Sequence, residues 1–236
     1  MELSRRTIIH FVSVNGTTEV GSMPRITDAR REVRRAQIVA AARRCFAREG
    51  FHQTSMPDIA QEAGVSVGAP YRYFASKEEI ILELAGDAFH LLFEPVARLV
   101  QGEKVATVAD LVAASIGPAA RDTALDAAGQ PVPVDELLRC AVQAWGELLV
   151  HEGLHRRAVE GFENVRQSMA EVLRHGQAAG TVPTGLDPER GARVVLALLH
   201  GFVLQRVAFG LDDIASFTDA VQATLAGAGI LNATEP

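Results

Sequence analysis

Residues 35–85 read RAQIVAAARRCFAREGFHQTSMPDIAQEAGVSVGAPYRYFASKEEIILELA, and this stretch decides the fold. Ile38, Ala42, Cys45 and Phe46 recur at helical spacing, so a first helix runs to about Gly50, with Phe51 on the same apolar face. Ser55 followed by Asp58 is a capping-box arrangement opening a short second helix that carries Ile59, Ala60 and Ala63 and stops at Gly64. Ser66 is expected to start a third helix bearing Tyr71, Tyr73 and Phe74. Ser76 with Glu79 should open a long fourth one through Leu84, Phe89 and Leu92, perturbed at Pro95. Two short helices joined across a glycine turn form a helix-turn-helix candidate, with Phe46, Ile59 and Phe74 as its small core.

The chemistry of that candidate points to DNA. Val67, Gly68 and Ala69 are small enough for the third helix to approach base edges in a major groove. Tyr71 and Lys77 have the reach to touch phosphates, and the Ser55 hydroxyl joins the free amides of a helix N-terminus, an anion-binding device. Charge agrees once it is counted by segment. The chain of 236 residues carries a net −6. Residues 24–77, however, hold ten basic side chains against five acidic ones, a net +5. Residues 1–23 balance, which leaves −11 on 78–236. A basic module followed by an acidic body suits a polyanion-binding end joined to a part that avoids polyanions.

The quoted stretch resembles the N-terminal domain of the tetracycline-repressor (TetR) family of transcriptional regulators. The resemblance is carried by Thr54–Ala63, by Gly64-Val65-Ser66, by Tyr71-Arg72-Tyr73-Phe74 and by Ser76-Lys77-Glu78. Farther on, Ala192–Gly210 with Leu198-Leu199-His200-Gly201 looks like the penultimate helix of the family's regulatory domain. The resemblance implies an all-α homodimer that binds a palindromic operator in double-stranded DNA, usually represses, and is released by a small molecule held in the C-terminal domain. Carried over by position, it assigns DNA contact to Ser55, Val67, Gly68, Ala69, Tyr71, Arg72, Tyr73 and Lys77. Pro70 departs from the pattern, standing where a leucine or similar aliphatic is usual. With Ser66 as N-cap, it would fall in the first turn, where a missing N–H is best tolerated.

The expected organisation is a flexible leader or mis-assigned start at 1–23, a DNA-binding domain at 24–76 and a helical regulatory, ligand-binding and dimerisation domain at 77–236. Further helices are expected at about 105–116, 134–151, 154–179, 187–209 and 213–226, with a loop at 117–133. Hydrophobic residues make up 48% and charged ones 22%, which excludes disordered and fibrous classes. No run of 18 uninterrupted apolar residues suggests a membrane span. Cys45 and Cys140 fit neither a disulfide framework nor a metal spacing, which suits a reducing cytoplasm. Arg5-Arg6 before Ile8–Val14 faintly imitates an export signal, but the run is short, His10 interrupts it and no small-residue cleavage site follows.

Candidate effector contacts are Phe89, Phe93, Trp145, Phe162, Glu163 and Arg166. Trp145, the single tryptophan, reads equally as core or as the wall of a small-molecule pocket, and the apolar surroundings favour a hydrophobic or amphipathic ligand. His200, on an apolar helix, reads as a core or interface histidine. Val195, Leu199, Phe202 and Val203 on one helix, with Ile214, Phe217, Val221 and Leu225 on the next, offer a face for a symmetric four-helix dimer bundle. The rival reading is a metalloenzyme at His151-Glu152-x-x-His155, which matches a zinc-protease pattern. Gly153 weakens the helix there, and Ala158 replaces a glycine of the longer pattern, so a solvated helix end is the better reading. No phosphate loop, nucleophile elbow or triad spacing supports enzyme activity, and no cofactor is expected.

Overall fold

The computed structural model describes residues 26–102, 105–126, 129–211 and 213–227; the leader expected at 1–23 lies outside them. The architecture is all-α apart from one short hairpin. The helices are α1 (Ile26–Glu49), α2 (Met56–Glu62), α3 (Lys77–Gln101), α4 (Val108–Ile116), α5 (Val134–Leu148), α6 (Glu152–Ala178), α7 (Pro188–Phe209) and α8 (Ile214–Gly227). They group into two compact units.

The first unit holds residues 26–89 and 123–155, and so includes α1, α2, the first half of α3, the hairpin and α5. Its core joins Ile38, Phe46, Ile59, Phe74, Ile80, Ile81 and Leu84, all essentially inaccessible, to Cys140 and Ala144 of α5. Fully burying each of the larger side chains contributes roughly 1.5–3 kcal/mol. Helix α2 starts where the sequence indicates: Ser55 is its N-cap, with Ser55 and Asp58 bonded reciprocally. Gly64, at φ 64°, supplies the left-handed conformation of the turn that follows. The boundary expected between residues 76 and 77 runs through this unit.

The third helix expected from Ser66 does not form as drawn. Residues 66–69 make a turn, with the Ala69 amide donating to Ser66 O at 2.8 Å, followed by a single 3₁₀ turn over Pro70–Arg72. Pro70 is the cause. An α-helix begun at Ser66 would take its first bond from the amide of residue 70, and proline has none.

Residues 117–133, expected as a loop, contain a 3₁₀ turn (Gly117–Ala120) and a two-stranded antiparallel hairpin of β1 (Thr123–Leu125) and β2 (Pro131–Pro133). Ala124 faces Val132 across it, both buried, and Gly129 at φ 73° turns the chain. Three-residue strands, one of them beginning and ending with proline, leave too little alternation to read from sequence. α3 continues through Pro95 to Gln101.

The second unit holds residues 90–122 and those from 156 onward. Its core draws Phe93 and Val96 from α3, Leu111, Val112 and Ile116 from α4, Val165, Met169 and Leu173 from α6, and Val195, Leu199, Phe202 and Val203 from α7. Thr107 with Asp110 makes a capping box for α4, and Asp187 caps α7 ahead of Pro188. At Gly176 a Cβ would collide with Val182 Cγ2, so glycine lets the chain after α6 fold back there.

Candidate nucleic-acid interface

α1 grips α2 through side chains that meet backbone and carboxylate. Gln37 Nε2 donates to Ala63 O at 2.6 Å, and Arg44 Nε donates to Glu62 at 2.7 Å. Arg35 lies 4.8 Å from the Phe74 ring centroid and pairs with Glu83, whose carboxyl pKa is raised by burial. On this support the 66–72 segment buries Pro70 and turns its other side chains wholly or partly outward. Val67 is 58% and Tyr71 55% exposed, and Gly68 and Arg72 are exposed as well. Gly68 has nothing within 4 Å of where a Cβ would stand, so the space before it is open. Ala69 is half-buried, and Tyr73 packs against the core. A surface of small groups flanked by Tyr71 and Arg72 suits close approach to base edges, with arginine as a reader of guanine.

Two of the expected contacts have other engagements. The Ser55 hydroxyl donates to Asp58 Oδ2 at 2.6 Å and accepts from the Asp58 amide; the hydroxyl and the Ser55 amide, both donating to the Asp58 carboxyl, hold it below its ordinary range. Lys77 Nζ donates to Phe51 O at 2.6 Å and Thr54 O at 2.8 Å, engaging two of its three N–H bonds. Cationic side chains also stand on the first turns of α1, where Arg30, Arg31 and Arg34 are exposed.

The candidate effector residues fall in both units. In the second unit, Phe93 and Phe162 meet edge to face at 6.4 Å, and Phe162 meets His200 at 5.2 Å. Burial lowers the His200 pKa, favouring a neutral ring. Glu163 and Arg166 pair with each other, and Arg166 also pairs with Glu189, in a partly solvated ladder. The hydrogen bonds from Arg166 and Gln167 hold the Glu163 carboxyl down to about 2. Phe89 and the half-buried Trp145 belong to the first unit.

Among the expected dimer residues, Val195, Leu199, Phe202 and Val203 are buried within the chain itself, as is Val221. The Phe202 ring meets that of Phe217 at 5.1 Å in a tilted arrangement. The side chains of Ile214 and Leu225 lie outside the described residues. The outward face of α7 carries instead Val194, Ala197, Gly201, Leu204 and Ala208, spaced by threes and fours. By length and composition alone α7 is apolar enough to cross a membrane, but its buried side is core of the second unit.

At the rival site, His151 precedes α6 and its ring meets Glu147 at 3.3 Å. Among the described residues, no cluster of three or more His, Cys, Asp or Glu could hold a metal ion. What the sequence reading missed is Gln143, which bonds the chain on both sides of the turn after α1. A glutamine on an amphipathic helix carries no signal of such a role.

A helix-turn-helix head combined with a larger helical unit defines a DNA-binding regulator. Residues 38–84 match the model of bacterial regulatory proteins of the tetR family, and residues 120–228 match that of the BetI-type transcriptional repressor C-terminal domain. The chain belongs to the TetR family of transcriptional regulators. It is 26% identical over 182 residues to the HTH-type transcriptional regulator TtgR of Pseudomonas putida, spanning 77% of this chain and 83% of that one. Among solved structures it is similar to Salmonella enterica GusR, with 25% identity, a TM-score of 0.60, and coverage of 83% and 94% of the two chains. It is likewise similar to a SmeT–triclosan complex, with 25% identity, a TM-score of 0.62, and coverage of 83% and 91%. SmeT is the repressor of a Stenotrophomonas maltophilia multidrug efflux pump. The family and these relatives are regulators, and the metalloenzyme reading gains no support from them.

Proposed function

We propose that this protein is a cytoplasmic, homodimeric repressor that binds a palindromic operator and leaves it when a small hydrophobic or amphipathic effector binds. Residues 24–76 read DNA, and 77–236 sense and dimerise. The observation that carries the reading is the set of exposed residues Val67, Gly68, Tyr71 and Arg72, with the half-buried Ala69 between them, seated on a buried core of Phe46, Ile59 and Phe74. Ser55, Tyr73 and Lys77 support it from the flanks, and two subunits join through the outer face of α7 together with α8.

In a dimer the two reading segments must meet successive major grooves, about 34–36 Å apart. α3 runs from the reading unit into the second unit, so a shift of its far half changes that separation. The effector need only prefer the non-docking state, by a coupling of typically about 1–3 kcal/mol. The Phe93–Phe162–His200 cluster, apolar and uncharged, suits such a ligand better than the Glu163–Arg166 pair, which neutralises itself.

Selection of bound duplexes from a random pool tests the DNA reading and is expected to return an inverted repeat. Triclosan, the ligand of the similar SmeT complex, is the first effector probe. It is expected to release the selected operator and to bind less tightly to a Phe162→Ala variant. Release by no member of a panel of hydrophobic compounds would make the protein a constitutive DNA-binding module.

A further inference from the structure

Gly50, at φ 89°, ends α1 and sends the chain into the turn that leads to Ser55, the N-cap of α2. On one side of Gly50 the Phe46 carbonyl accepts from Gln143 Nε2 at 2.9 Å. On the other side the Phe51 amide donates to Gln143 Oε1 at 2.6 Å. One side-chain amide thus spans the end of α1: it adds a second bond to the Phe46 carbonyl, which already accepts from the Gly50 amide at 3.0 Å, and it satisfies the first amide beyond the glycine. The Phe51 carbonyl is held in turn by Lys77 of α3. Both backbone groups of Phe51 are therefore bonded to side chains of other elements.

Gln143 does not act alone. Glu136 accepts from Arg43 Nε at 2.9 Å, Cys140 Sγ lies 3.9 Å from Arg43 O, and Glu147 Oε1 lies 3.2 Å from His52 Nε2. Positions 136, 140, 143 and 147 recur every three or four residues and so form one stripe of α5. That stripe is polar although Cys140 and Glu147 are buried, and it follows α1 from Arg43 to the turn at His52. Apolar packing tolerates sliding, whereas directional bonds to backbone groups fix register.

We propose that this stripe sets the pose of the α1–α2 turn and hence of the DNA-reading segment, with Gln143 as its central positioning residue. The proposal rests on the DNA-binding reading above. It makes α5 a second route into the reading unit, independent of α3. α5 ends at Leu148, and a short turn over residues 149–151 separates it from α6.

The test uses the full chain with Gln143→Met, which keeps volume and removes both bonds, and Gln143→Glu, which keeps the acceptor for the Phe51 amide. With the operator selected by wild type, Gln143→Met is expected to lose about tenfold in specific affinity. Its affinity for random duplex of equal length should be unchanged, and its Phe51 amide should exchange about tenfold faster. Gln143→Glu should recover most of the specific affinity and the slow exchange. Equal loss on specific and random DNA, or faster Phe51 exchange with undiminished specific affinity, would overturn the proposal. If Gln143→Met does not fold, the Gln143→Glu comparison decides alone: Phe51 protection retained without specific binding also overturns it. Failure of wild type to select any sequence would instead defeat the underlying DNA reading.

Discussion

Lys77 holds Phe51 in two ways at once: its ammonium donates to the Phe51 carbonyl at 2.6 Å and lies 4.4 Å from the centroid of the Phe51 ring. The same nitrogen reaches Thr54 O, so the first residue of α3 fastens both ends of the segment leading into α2. Lys77→Ala is therefore expected to lower stability by about 1–3 kcal/mol, because two carbonyls lose their donor. It should also reduce the slope of log K against log salt by about one, through the N–H still free to meet a phosphate. Urea unfolding and binding titrations at several salt concentrations measure both. A destabilised variant with an unchanged slope would make Lys77 purely architectural.

Gly68 separates fold from function cleanly. A side chain there meets nothing within the protein, and its backbone lies outside the left-handed region. Gly68→Val should leave stability within about 0.5 kcal/mol of wild type. On the other hand, branched bulk at the exposed tip should block approach to the groove and cost at least about tenfold in operator affinity. Arg72→Ala, in contrast, should relax base preference at one position, the discrimination lost being about 1–3 kcal/mol. Repeating the random-pool selection with each variant distinguishes the two effects.

Asp87 gives the protein a pH-dependent stability of definite sign. Burial pushes its carboxyl up to about 7, with Glu83 and Asp126 adding to the effect and Arg43 and Arg35 opposing it. The folded chain thus keeps a proton that the unfolded chain releases near the ordinary aspartate value of about 4. Stability from this group is greatest at low pH, falls as pH rises between those values, and is flat above the upper one. Asp87→Asn should remove the slope. Relative to wild type, the variant should gain about 2 kcal/mol on going from about pH 5.5 to about pH 8, with partial exposure limiting the effect. Denaturation curves at the two pH values check this, and parallel behaviour of the two proteins would contradict it.

The two faces of α7 predict opposite outcomes for the same substitution. Val194 and Leu204 are 50% and 44% exposed, whereas Phe202 is 1% exposed and packed against Phe217. Glutamate at both Val194 and Leu204 should yield folded monomers with greatly weakened operator binding. Phe202→Glu should unfold the second unit, since an unpaired charge would be buried there. Sedimentation and circular dichroism separate dissociation from unfolding. A wild type that is monomeric at micromolar concentration would rule out the dimer.

Much of the reading unit is legible in the sequence because its signals are local. Helical spacing from Ile38 to Phe46, the Ser55–Asp58 cap and Gly64 each depend on neighbours within one or two turns. Pro70 is legible only in part. Its missing amide is plain, but the consequence depends on which carbonyl would have accepted from it, so an expected helix becomes two tight turns. The effector residues rest on composition, and composition does not show that Glu163 and Arg166 neutralise each other or that Phe162 meets His200.

By itself, the sequence determined the all-α class, the helix-turn-helix with its core, and the split between a basic head and an acidic body. These follow from periodicity, capping and charge, which are properties of short segments. Only the tertiary structure decided what each face meets. It placed Leu199 and Phe202 inside the chain's own core, engaged Lys77 with two carbonyls, and laid α5 along α1 so that Gln143 brackets Gly50. The physical reason is that a helical repeat specifies which residues share a face but not the partner of that face. Gln143 finds its partners 92 and 97 residues away in sequence, a distance over which no local pattern carries information.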